Sequence, residues 1–93
     1  MRRAARIDEN QPAIVAALRE FGATVQPLHA VGGGCPDILC GYKGKNYLFE
    51  IKNPAKPKRD QDLTEDQIDW VMKWKGHHMV IKSANEAIWT MTR

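Results

Sequence analysis

The chain has 93 residues, enough for one domain, since domains usually take about 100–200 residues each. Its composition, 43% hydrophobic and 27% charged, belongs to a folded globular chain rather than a disordered one, and no apolar run approaches the ~18–20 residues that cross a bilayer. The net charge of +3, from 14 Lys and Arg against 11 Asp and Glu, is too small to name a partner, and the two cysteines, Cys35 and Cys40, are too few for a disulfide scaffold. Arg2, Arg3 and Arg6 are followed by no apolar signal-peptide core, so a cytoplasmic protein is expected, with no membrane partner.

The charge is segregated. Lys43, Lys45, Lys52, Lys56, Lys58 and Arg59 stand against the single acid Glu50 over residues 43–59, whereas Asp60, Asp62, Glu65, Asp66 and Asp69 follow with no base among them. Such an arrangement suits one surface that meets a polyanion and another turned away from it.

In chain order, Ile7, Ile14, Leu18 and Phe21 fall within about 60° of arc at helical spacing, which predicts an amphipathic first helix. Asp8 or Asn10 can cap it, Pro12 places its start near residues 9–11, and Gly22 ends it. Residues 24–30 read as a strand, placed at a sheet edge by Pro27. Residues 37–42 and 45–52 flank Lys43-Gly44 as a hairpin, with Tyr47, Phe49 and Ile51 on one face and Asn46, Leu48, Glu50 and Lys52 on the other. Residues 53–62, with Pro54 and Pro57, read as a mobile loop. Thr64-x-x-Gln67 is a capping box opening a helix to Gly76, with Ile68, Val71, Met72 and the stem of Lys75 on its buried face and Trp70 and Trp74 as a second aromatic pair. Residues 78–82 and 88–92 read as the last two strands. The expected order is α-β-β-β-α-β-β, an α/β domain over residues 1–93 with a mixed sheet flanked by helices.

The residues that can carry chemistry lie in the hairpin. Asp37 opens one strand; Glu50 and Lys52 share a face of the other, about 6.5–7 Å apart. Two carboxylates facing each other there make a hard-oxygen site suited to Mg²⁺ or Mn²⁺, and an adjacent ammonium can hold a water or offset charge on a phosphate. Simpler readings exist for each. Pro36-Asp37 is a common turn pair, and Glu50 and Lys52 can be an exposed strand face. Gln67 is explained by the capping box, and Glu9 by the helix dipole. Against exposure, the opposite face of the second strand is already apolar and Leu48 shares the face of Glu50. An unpartnered buried Glu50 would be costly.

Pro36-Asp37, then Glu50-Ile51-Lys52 after 12 intervening residues, resembles the PD-(D/E)XK nuclease signature. More narrowly, Glu9-x-Gln11 in the first helix, Gly34-x-Pro36-Asp37-Ile38, Glu50-Ile51-Lys52 and Leu63-Thr64-x-x-Gln67 resemble a stand-alone VRR-NUC domain, over most of the chain. The resemblance implies a restriction-endonuclease-like fold and metal-dependent hydrolysis of phosphodiester bonds in DNA, with the branched or structured DNA of repair and recombination as the expected substrate. It implies that Asp37, Glu50 and the Ile51 carbonyl bind Mg²⁺ or Mn²⁺, that Lys52 positions the water, and that Gln67 orients from the helix start. Glu9 would be a further metal or supporting carboxylate.

Lys43, Lys45, Lys56, Lys58 and Arg59 are expected to hold DNA phosphates, which positions a duplex without reading its sequence. A homodimer is expected from the small footprint and the Trp70/Trp74 face, with two-fold symmetry supplying two cuts. The alternative is a DNA-binding module that keeps the fold without catalysis. Zinc at Cys35, Cys40, His77 and His78 is disfavoured by their spacing, and His29 reads as structural or solvated rather than as a substrate contact. No small-molecule cofactor is expected; the triple glycine lacks the lysine and Ser/Thr of a phosphate loop.

Overall fold

Eight elements follow one another in the computed structural model, which describes residues 7–93. Arg2, Arg3 and Arg6 lie outside the described residues. The elements are α1 (Gln11–Phe21), β1 (Thr24–Pro27), β2 (Ile38–Tyr42), β3 (Lys45–Ile51), α2 (Lys58–Gln61), α3 (Glu65–Lys73), β4 (Met79–Ile81) and α4 (Ala84–Thr92). The strands lie in the order β1-β2-β3-β4, with β1, β2 and β3 antiparallel and β4 parallel to β3. The result is an α/β mixed sheet with helices, and β1 is at an edge as Pro27 requires.

Local chemistry sets the boundaries. Pro12 sits in the first turn of α1, where its missing N–H costs nothing, and Gly22 closes the helix at φ +117°, donating to the carbonyls of Leu18 and Arg19. The β2–β3 hairpin turns on Lys43 and Gly44, whose φ values of 48° and 80° are both positive, as a type I′ turn demands. Thr64 caps α3 with both reciprocal bonds of the capping box in place.

One face of the sheet carries the core. Ile38 and Cys40 of β2, Phe49 and Ile51 of β3 and Ile81 of β4 pack against Ile14 and Leu18 of α1 and Ala87 and Met91 of α4. The period of two sends Glu50 and Lys52 to the other face, toward the start of α3. No membrane-length apolar helix occurs among the described residues.

Several expectations are corrected. Residues 88–92 are not a strand. They belong to α4, whose first turn is capped by Ser83 Oγ accepting from the Glu86 N–H at 3.2 Å. Its buried residues Ala87 and Met91 are one turn apart, and this packing overrides the strand preference of Ile88-Trp89-Thr90. Residues 53–62 include α2, and β1 stops at Pro27, short of Ala30. Ile7 and Phe21 are exposed, and Val15 takes a place in the core instead. Helix α3 ends at Lys73, before Lys75, and buries none of its side chains. Trp70 and Trp74 stack with ring centroids 4.6 Å apart, Trp74 being exposed, so the pair is not in the core.

Candidate active site

Asp37 stands immediately before β2, pinned on both sides. Its N–H donates to the Phe49 carbonyl at 3.0 Å, and its carbonyl accepts from the Leu28 N–H at 2.8 Å. Its carboxylate Oδ2 accepts from the Ile51 N–H at 2.6 Å, which swings it along β3 toward Glu50. Among the described residues, the buried charged side chains are Asp37, Glu50 and Lys52, and they lie together. The exposed-strand reading therefore fails for Glu50 and Lys52.

Gln67 ties two of them, Glu50 and Lys52, together, and Asp37 joins through Glu50. Gln67 Nε2 donates to Glu50 Oε2 at 3.0 Å, while Gln67 Oε1 accepts from Lys52 Nζ at 2.8 Å and from the Thr64 N–H at 2.9 Å. Gln67 thus serves the helix cap and the site at once. Lys52 Nζ is 3.9 Å from Glu50 Oε2, a looser ionic contact. From the other side, Asn10 Nδ2 donates to the Lys52 carbonyl at 3.2 Å and so ties the start of α1 to the end of β3.

Electrostatics favours a shared proton. Burial pushes the Glu50 carboxyl up to about 9, helped by its hydrogen bond to Asp37 and the nearby Asp37 charge; Lys52 opposes this without cancelling it. Burial also raises Asp37, although the bonds from Glu50 and the Ile51 N–H pull the other way. The two carboxyls together therefore favour retaining one proton between them. Asp8, in the segment before α1, repels charge on both groups, while Glu9 is exposed.

A buried carboxyl pair sharing one proton is an oxygen donor set that a hard divalent cation fits, with the proton displaced on binding. The described residues gather no cluster of three or more His, Cys, Asp and Glu side chains of the kind that cages a metal by itself. Cys40 is packed in the core, where burial raises its thiol to about 11.

The basic residues divide. Lys56, Lys58 and Arg59 are exposed on the segment leaving β3 just beyond Lys52. Lys43 and Lys45 sit at the hairpin turn, at the opposite end of β3, and Lys43 Nζ lies 5.5 Å from the Tyr42 ring centre. Glu50 lies five residue steps along the strand from Lys45, about 17 Å. Lys43 and Lys45 therefore do not join the carboxyl pair.

The sequence offers Asp8 and Asn10 only as helix caps. Asn10 occupies the cap position but makes no capping bond with its side chain, and no pattern in the sequence marks that its amide is spent on Lys52. Comparison with protein-family models, curated proteins and solved structures finds no match for this chain.

Proposed function

We propose that this chain is a divalent-metal-dependent DNA endonuclease of the PD-(D/E)XK kind, resembling VRR-NUC domains and acting on branched or structured DNA. The observation that carries the reading is the convergence of Asp37, Glu50 and Lys52, all buried, with Asp37 against Glu50 and the Gln67 side chain bridging Glu50 and Lys52. Burying three charged groups together opposes folding unless they are mutually satisfied or used, and such clusters concentrate at functional sites.

In this reading Asp37 and Glu50 hold Mg²⁺ or Mn²⁺, with the Ile51 carbonyl beside them. The cation would supply Lewis acidity, lowering the pKa of a water and neutralising phosphate charge. Lys52 hydrogen-bonds the attacking water and offsets charge that develops on the phosphate oxygens. Gln67 keeps the ammonium aimed by accepting one of its three protons, leaving two for water and substrate. Asn10 restrains the backbone that carries it. Lys56, Lys58 and Arg59 hold DNA phosphates beside the site.

The same reading includes a homodimer. Ile68, Met72 and Trp74 are exposed on or just after α3 and offer an apolar surface to a second copy. Light scattering of the purified chain gives the oligomeric state directly.

The test of catalysis is incubation with labelled linear and four-way DNA in Mg²⁺, Mn²⁺ or EDTA. Cutting is expected in the metals alone, and D37N and K52A should abolish it while leaving DNA binding largely intact. Binding without cutting in either metal would leave a non-catalytic DNA-binding module instead.

A further inference from the structure

The two edges of the sheet are not alike. β1 carries Pro27, a residue that discourages further pairing, whereas β4 is Met79-Val80-Ile81, with neither proline nor charge. Among the described residues no strand pairs with the outer side of β4. The Ile81 carbonyl accepts from the Lys52 N–H at 2.9 Å, so Ile81 turns its backbone groups inward to β3. By alternation, Val80 turns its N–H and C=O outward. The next outward N–H, that of Lys82, is already taken by Glu86 Oε1 at 2.7 Å. The open edge therefore offers one complete donor–acceptor pair, on Val80.

A foreign strand laid on this edge would find a ladder one residue long. A second copy of the chain finds more. Two Val80 residues facing each other across a two-fold axis exchange both bonds, as a hydrogen-bonded antiparallel pair does. The flanks match under the same axis. A groove of about 440 Å³ runs beside the edge, between Met79 and Val80 of β4 and Glu86, Trp89 and Thr90 of α4. Glu86 bonds Lys82 past one end of β4, and Thr90 Oγ1 bonds Met79 Sδ at the other end, at 3.0 Å, so α4 runs back along β4. Arg93 lies beyond Thr90, its guanidinium 3.8 Å from the centre of the exposed Trp89 ring. An axis through Val80 exchanges the two ends. It brings the Trp89–Arg93 pair of one copy to the groove of the other, indole toward Met79 and Val80 and guanidinium toward Glu86. Apolar meets apolar, and cation meets anion.

We infer that the open edge of β4 is the two-fold interface of a homodimer, with Val80 paired to Val80 of the second copy and Trp89 and Arg93 of each seated against the other's β4–α4 groove. This assigns an edge of the fold to the homodimer of the proposed function and rests on that part of the reading. Val80 is the register partner of Glu50, so Glu50 of the two copies would stand three strand spacings apart, about 14 Å, on one face of a continuous sheet. Two sites of the proposed nuclease would then face one DNA together.

The experiment reads mass by light scattering of the full chain across the micromolar range. The parent is expected at twice its 10.5 kDa. V80P removes an N–H that points outward, so the β3 ladder is kept and the mass should halve. R93E sets an acid against Glu86 and should raise the dimer dissociation constant about tenfold. In a C35S background, where the remaining Cys40 is buried, V80C should give a disulfide-linked dimer on oxidation, since the Cα atoms of a hydrogen-bonded pair stand about 5.5 Å apart. Circular dichroism checks that V80P folds, and the V80C cross-link decides if it does not. A dimer that survives V80P and gives no V80C cross-link overturns this interface and leaves the second copy to the α3 face. A monomeric parent overturns the interface and the homodimer together. Neither result touches the catalytic reading, which the cleavage assay in Mg²⁺ scores on its own.

Discussion

Lys52 Nζ donates to Gln67 Oε1 at 2.8 Å, across a sequence separation of 15 residues, so a helix cap and a buried cation share one amide oxygen. The dual use makes the two functions separable by substitution. T64A removes the side-chain cap but leaves Gln67 in place; it should cost about 1 kcal/mol in urea denaturation and spare cleavage. Q67A keeps the Thr64 Oγ1 cap but loses the reciprocal bond to the Thr64 N–H and frees Lys52 and Glu50. It should lose a similar stability and reduce cleavage on the order of 10²-fold, the scale of a misplaced catalytic group. Equal cleavage by the two variants would show that the amide has no part in aiming Lys52.

Stability of the metal-free protein should fall with rising pH. Glu50 keeps its proton up to about 9 in the folded chain, whereas the ordinary value is 4.5. Between those values the unfolded chain has released a proton that the folded one retains, so the contribution is complete below 4.5 and lost as pH approaches 9. Urea midpoints measured across that range in EDTA should decline, and E50Q should flatten the decline. Mg²⁺ should flatten the slope, because binding displaces the proton.

Gly34 tests the contact that brings α3 to the sheet. It has φ +82°, and a β-carbon there would collide with the Asp66 carbonyl oxygen, inside the first turn of α3. G34A must push that turn away and with it Gln67. Gly44, at φ +80°, has nothing within 4 Å of where a β-carbon would stand, so G44A carries the backbone cost alone, about 1 kcal/mol. Thermal unfolding should show G34A the more damaging, and cleavage should fall in G34A only.

Salt dependence distinguishes the two basic groups. K58A/R59A should lower the slope of log affinity against log salt by about 2, one unit for each phosphate contact removed. K43A/K45A, at the far end of β3, should change that slope less. Equal effects would mean that DNA runs the full length of the hairpin.

The site is more legible in the sequence than the periphery because its determinants are local. The β2–β3 register follows from a two-residue turn and an alternating pattern, which brings Asp37 and Glu50 together, and the capping box fixes where Gln67 falls. Helix α4 is harder to see because Ile88-Trp89-Thr90 favours a strand, although Ser83-x-x-Glu86 is a helix-start signal in its own right. The apolar stripe of α3 correctly predicts a helix and wrongly predicts its burial, since amphipathicity does not say which surface will cover it. Asp8 and Asn10 mislead for a different reason: what they touch depends on how α1 lies across the sheet.

Helix α3 contributes no side chain to the core, yet it carries the amide that orients Lys52. Its opening should thus cost far less than global unfolding, and its backbone amides should exchange with solvent earlier than those of β2 and β3. In the proposed nuclease, the aim of Lys52 then depends on a helix that buries none of its side chains.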